Sequence, residues 1–209
     1  MSEPFCTLTV DRGDRPQFFD FCMHQISRFT IQPKHTIIVN EPPTSNAVDL
    51  TIRMRKGITA AKNLGMDIVY VIESDDYYPK DYIEKMWIGS NDFIGSEKTL
   101  YYSLQNKTYN EFYHQGRSSL FCTAFRISAL EGFKWPPDDT IFLDLFFWRY
   151  AQHRKSILTP ISIGVGIKHG VGKRAGSGHN MTMPHKDSAD MSFLRSKVDS
   201  EAMTFYRSL

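Results

Sequence analysis

Short apolar runs alternate with amphipathic stretches through the first 90 residues. Phe5–Val10 (FCTLTV), Thr36–Val39 (TIIV) and Ile68–Ile72 (IVYVI) are strand-length runs rich in β-branched and aromatic residues. After the first of them, Pro16 suits the opening turn of a helix. Phe18, Cys22, Ile26 and Phe29, with Phe19 and Met23 beside them, then recur at helical spacing. Gly57–Leu64 predicts a second helix stopped by Gly65, and Asp81–Trp87 a third. Strand and helix in strict alternation predict βαβ units and a parallel sheet. The strands lack polar alternation, as expected when helices cover both faces.

The second half is less regular. Leu100–Leu104 and Ser119–Ile127 read as strands, and Asp139–His153 as a largely buried helix. Ile161–Ile167 reads as a late strand and Ser192–Leu209 as a terminal helix. Between them, the Gly- and Ser-rich composition of Val171–His179 suggests a mobile loop. Neither a repeat nor a linker divides the 209 residues, so one domain is expected.

Composition narrows the class only a little. A formal net charge of +2 gives no support for a polyanion surface, so no nucleic acid partner is expected. There is no apolar run of membrane-spanning length and no signal-peptide pattern at Ser2-Glu3-Pro4. Three cysteines (Cys6, Cys22, Cys122) without a CxxC fit a reducing compartment, and the expectation is a cytoplasmic protein.

The chemistry concentrates at strand ends. In open α/β sheets ligands bind beyond the carboxyl ends of the strands, and here those ends carry Asp11 and Arg12, Asn40 and Glu41, and Glu73-Ser74-Asp75-Asp76. Carboxylates one residue apart can hold a hard divalent cation that completes its shell with water and a ligand's phosphates. Such a cation neutralises charge on a departing diphosphate.

The stretch GITAAKNLGMDIVYVIESDDYYPKDYIEKM (Gly57–Met86) resembles the core signature of GT-A-fold glycosyltransferases, family 2-like enzymes with a DxD motif. Gly57, Ala61, Lys62, Asn63 and Gly65 match the helix, with Lys for Arg, and Glu73-Ser74-Asp75 matches the motif with Glu for its first Asp. The opening TLTVDRGDRPQFFDFCMHQI resembles the family's first strand and helix, which hold the nucleoside. The resemblance covers residues 5–90 and is thin beyond.

It implies a single GT-A domain with a Rossmann-like, mostly parallel central sheet flanked by helices. Residues 1–95 would be the nucleotide-sugar half and 96–209 the acceptor half. It implies Mn²⁺ or Mg²⁺ as cofactor, a UDP-sugar donor and a glycan or other hydroxyl acceptor. Asp75 is the first metal ligand, and Glu73 reaches either the metal, through water, or the ribose. His169 or His179 completes the shell, with His169 better placed directly after a strand, and an imidazole suits Mn²⁺ better than Mg²⁺. Thr9, Asp11, Arg12, Asn40, Glu41, Lys62 and Ser74 fall at donor-binding positions, and Lys173 and Arg174 at the leaving diphosphate.

Inverting transfer also needs a carboxylate to take the acceptor's proton. Asp144, an acid among Ile141, Leu143, Leu145, Phe146 and Phe147, is the first candidate, because apolar surroundings raise a carboxyl's pKa. Pairing with a buried arginine such as Arg149 or Arg126 is the bland alternative. Asp139, otherwise a helix cap, is the second candidate. Two rival functions remain: a sugar-nucleotide nucleotidyltransferase, although DRGDRP carries only one glycine, and a non-catalytic nucleotide- or glycan-binding module.

Overall fold

A computed structural model describes residues 3–41, 48–171 and 184–209. The chain runs β1 (Phe5–Val10), α1 (Pro16–Ser27), β2 (His35–Val39), α2 (Leu50–Asn63), β3 (Ile68–Glu73) and α3 (Tyr82–Lys85). It continues with β4 (Phe93–Ser96), β5 (Lys98–Ser103), β6 (Thr108–Tyr113), β7 (Thr123–Arg126), α4 (Leu143–Ala151), β8 (Ser156–Thr159) and β9 (Val165–Lys168). It closes with β10 (His185–Lys186), α5 (Ser192–Arg195) and α6 (Ser200–Arg207).

The central sheet has the order β2-β1-β3-β7-β4-β8, and β7 alone among its strands runs against the rest. The chain leaves β1 for β2 on one side and then crosses back to β3 on the other. The switch point therefore falls between β1 and β3. Their register pairs Val10 with Glu73, so both strands deliver their next residues to one edge.

Alternating residues of these strands feed two apolar layers. Phe5, Ile68, Tyr70 and Ile72 pack with Cys22, Ile26 and Phe29 of the α1 region. Cys6, Leu8, Val69 and Val71 pack with Met54, Ile58 and Ala61 of α2 and with Leu143, Phe147 and Trp148 of α4. A second sheet, β10-β6-β5-β9, packs through Leu100, Tyr102, Val165 and Ile167 against α5, α6 and Phe18 of α1.

Several elements differ from the pattern-based expectation. Helix α2 begins seven residues before Gly57, placing that glycine mid-helix rather than at its start. A Cβ at Gly57 would lie 2.2 Å from Leu8 Cδ1, so the glycine is there to let the helix lie close on β1. The expected Asp139–His153 helix is shorter, because α4 starts at Leu143 after the turn closed by Thr140 N–H on Pro137 C=O. The terminal helix is two helices, α6 being capped by Asp199, whose side chain accepts from Ala202 N–H at 2.9 Å. The strands β4, β6 and β8 carry too little apolar periodicity to stand out in the sequence; β4 and β8 pair over long range, and β6 forms a hairpin with β5.

Candidate active site

The acidic turn closes the carboxyl end of β3. Its geometry begins with Tyr78, whose hydroxyl accepts the Glu73 N–H at 2.7 Å, and with Asp76 N–H, which reaches Glu73 C=O at 3.4 Å. Ser74 is buried and its hydroxyl donates to Asp11 Oδ1 at 3.2 Å, joining the ends of β3 and β1. The other Asp11 oxygen accepts Gly13 N–H at 2.8 Å, which folds the loop after β1 back on itself.

The same turn is stitched to β9, far away in sequence. Tyr77 and Val165 exchange backbone hydrogen bonds of 2.9 and 3.0 Å, and Asp76 Oδ1 accepts Ile167 N–H at 2.8 Å. Two residues on, His169 is delivered beside Asp75, with Nε2 at 3.1 Å from Asp75 Oδ2. The imidazole packs on Phe18 (ring centroids 4.1 Å apart), and its Nδ1 accepts Val171 N–H at 2.9 Å. Arg15 closes the group: Nη1 donates to Asp75 Oδ2 and lies 3.2 Å from His169 Nε2.

Charge is crowded here. Oxygens of Glu73, Asp75 and Asp76 all lie within 4.8 Å of one another. Burial, and then the charge of Asp75, pushes Glu73 up to about 7, and burial with the charges of both neighbours pushes Asp76 well above the usual carboxylate range. For Asp75 burial acts in the same direction, but the His169 hydrogen bond and the Arg15 guanidinium outweigh it and hold the carboxyl well below its usual range. Lys168 lowers all three. Asp75 is thus the acid that stays ionised.

The donor set fits a divalent cation. Asp75, Glu73 and His169 offer oxygen and imidazole ligands, and an excess of clustered acid is relieved by added positive charge. Asp76 fits less well, because its Oδ1 is engaged by the β9 backbone.

Asp144 stands in the first turn of α4, buried, with Oδ2 accepting from Arg117 Nη1 at 2.5 Å. Burial raises its pKa against the opposing pull of Arg117. Its charge also helps to raise Glu73. Its guanidinium partner is Arg117 rather than Arg149 or Arg126, and Arg126 instead holds Glu3 at 2.6 Å.

The remaining expected residues divide. Arg12 sits by the β1 end, paired to Asp49 at 2.7 Å. Asn40 and Glu41 are exposed beyond β2 on the same edge, and Glu41 pairs with Lys56. Buried Arg53 binds the carbonyls of Asp11, Val39 and Glu41, which ties the β1 and β2 ends together. Thr9 is fully buried within β1, on the face covered by Cys22, and presents no side chain to the crevice. Lys62 lies at the far end of α2, 14 residues or about 20 Å long, and so at the opposite edge of the sheet. Asp139 is exposed in the turn before α4 and does not cap that helix. Lys173, Arg174 and His179 lie outside the described residues.

Arg15, Lys168 and Arg117 were not expected. Arg15 stands in the same DRGDRP turn as Asp11, and Lys168 directly precedes His169, so both had a neighbour to mark them. Arg117 had none.

No known protein-family profile matches the chain, and no curated protein matches it in sequence. Among solved structures, Staphylococcus aureus TarS 1-349 in complex with UDP superposes with a TM-score of 0.53 at 11% identity, covering 78% of this chain and 60% of that one. The same protein without that ligand gives 0.51 at 12% identity, covering 79% and 60%. The TarS fold is shared. The chain spans about three fifths of the TarS chains it matches. The mannosyltransferase PcManGT from Pyrobaculum calidifontis, in complex with GDP-Man and Mn²⁺, gives 0.49 at 11% identity, covering 79% of this chain and 57% of that one. The α/β architecture with a mostly parallel central sheet flanked by helices, expected from the sequence, is the one this chain adopts.

Proposed function

We propose that the chain is a divalent-cation-dependent glycosyltransferase. It moves a sugar from a nucleoside diphosphate, UDP first, to the hydroxyl of a glycan or other acceptor, with inversion at the anomeric carbon. One observation carries the reading. Asp75 and His169, 94 residues apart, meet within 3.1 Å beside the switch point of a mostly parallel sheet. The shared fold supports it independently.

Asp75 and His169 would hold Mn²⁺ or Mg²⁺, with Glu73 joining directly or through water; the imidazole favours Mn²⁺. Bound there, the ion would supply Lewis-acid neutralisation of the leaving diphosphate. The protein's own part is positioning. Asp11, Arg12 and Ser74 line the nucleoside side of the crevice, and Lys168 adds positive charge opposite the three acids. Asp144 takes the acceptor's proton as the oxygen attacks, a role suited to a carboxyl whose proton affinity burial has raised. Its ion pair with Arg117 favours a second reading, a non-catalytic nucleotide-binding module, in which Asp144 serves structure alone.

No helix among the described residues is long and apolar enough to cross a membrane, and the three cysteines are buried and unpaired. A reducing, cytoplasmic setting accords with those thiols.

Thermal unfolding with UDP, GDP and CMP, with and without Mn²⁺, tests the reading. Metal-dependent stabilisation by one nucleotide is expected, because a ligand that binds only the native state stabilises it by mass action. Absence of a shift with every nucleotide would remove both readings. Slow Mn²⁺-dependent hydrolysis of a UDP-sugar would then separate enzyme from binding module.

A further inference from the structure

A single guanidinium nitrogen touches both groups read above as cation ligands. Arg15 Nη1 donates to Asp75 Oδ2 and stands 3.2 Å from His169 Nε2. The backbone beneath it is fixed, because Arg15 C=O accepts the N–H groups of Phe18 and Phe19 at 3.1 and 3.2 Å at the start of α1. The side chain is less completely held. Its Nε is buried without a hydrogen-bond partner, and Asp14 Oδ1 stands 3.7 Å away, beyond hydrogen-bond reach. A buried N–H with no acceptor is costly, and a guanidinium fork with an open donor is suited to phosphate oxygens.

Arg15 and a divalent ion cannot occupy the same face of Asp75. Both need the Oδ2 lone pairs, and like charges at contact distance repel. His169 is drawn into the same competition. With Nδ1 accepting Val171 N–H, a neutral ring carries its proton on Nε2 and donates it to Asp75 Oδ2, so Nε2 must give up that proton, with Nδ1 released from Val171, to meet a metal.

We propose that Arg15 is an internal counter-cation that competes with the divalent ion for Asp75 and His169. The proposal rests on the reading of those two residues as cation ligands. Without nucleotide, Arg15 neutralises Asp75 and keeps metal binding weak. The donor's diphosphate offers the displaced guanidinium a new partner, including the acceptor that Nε lacks. Metal and nucleotide then assist each other through this one side chain, and linkage requires the assistance to be equal in both directions.

The test is an electron paramagnetic resonance titration of the full chain with Mn²⁺ alone, comparing wild type with Arg15→Gln. The variant is expected to bind Mn²⁺ about tenfold more tightly, within the usual range of such couplings. Adding UDP or GDP should tighten Mn²⁺ binding in the wild type by more than in the variant. Arg15→Lys keeps the charge on a more mobile stem and should fall between the two, and it carries the test if the Gln variant does not fold. Equal or weaker Mn²⁺ affinity in Arg15→Gln overturns the proposal, as does the lack of any Mn²⁺ binding by either protein. Failure of the donor reading looks different: the variant still binds Mn²⁺ more tightly, but no nucleotide stabilises the wild type.

Discussion

At the end of β3 three carboxyls share one arginine, one lysine and one histidine, whereas at the start of α4 one carboxyl faces one arginine. The acids at the turn are driven apart in proton affinity. Asp75 is held ionised while Glu73 and Asp76 are pushed up by it. Asp144 is neutralised by its own partner and shifted mainly by burial. The first arrangement is short of positive charge and suits a cation with its diphosphate. The second is balanced, and suits a group that must accept and release a proton without a metal.

The largest effect should come from the balanced site. Asp144→Asn is expected to lower glycosyl transfer by about 10²–10⁴-fold, the range for a lost general base, with Mn²⁺-dependent nucleotide stabilisation unchanged. Full transfer activity in that variant would leave the pair with Arg117 a purely structural one. Next, Asp75→Ala should cost about 10²–10³-fold in UDP-sugar hydrolysis, comparable to removing one preorganised electrostatic group, and should abolish the Mn²⁺-dependent thermal shift. A retained shift would mean that the turn does not hold the ion.

Smaller, but with a sign of its own, is the pH dependence of the metal-free protein. Glu73 is raised to about 7 from an ordinary 4.5, so between those values the folded state holds more protons than the unfolded one. Its contribution to stability is therefore present below about 4.5 and lost as pH rises to about 7. Asp75, held low, works oppositely, contributing above its ordinary 3.8 and losing that contribution in acid. Denaturant unfolding of Glu73→Gln should show a gain of roughly 1–3 kcal/mol over wild type at pH 8 that shrinks by pH 5. An equal gain at both pH values would mean that Glu73 is not the group titrating. The smallest effect belongs to Lys62→Ala. A residue at the opposite sheet edge should change hydrolysis by less than about twofold, as surface substitutions away from a site do. A tenfold loss would put α2 in the wrong place.

The first half of the fold was legible for a definite reason. Strands buried on both faces leave unbroken apolar runs such as IVYVI, and α1 announces itself through Pro16 and the spacing of Phe18, Cys22 and Ile26. The second half was less so. β6 is a hairpin strand with no buried residue, and β4 and β8 are four residues each and exist through partners far away in the chain. Lys62 misled because a motif match carries no information on which end of a helix faces the ligand.

Local pattern was enough to put Asp11 and the Glu73–Asp76 acids at strand ends, since burial of β1 and β3 dictates where each strand must stop. It was also enough to single out Asp144, because an acid in an apolar helix is conspicuous wherever the helix packs. Pattern could not choose among the acids of the turn. Asp76 is withdrawn by the β9 backbone, Asp75 is kept charged by Arg15 and His169, and Asp144 is matched by Arg117. Each of those partners arrives across 27 to 94 residues of chain, and proton affinity depends on distance in space.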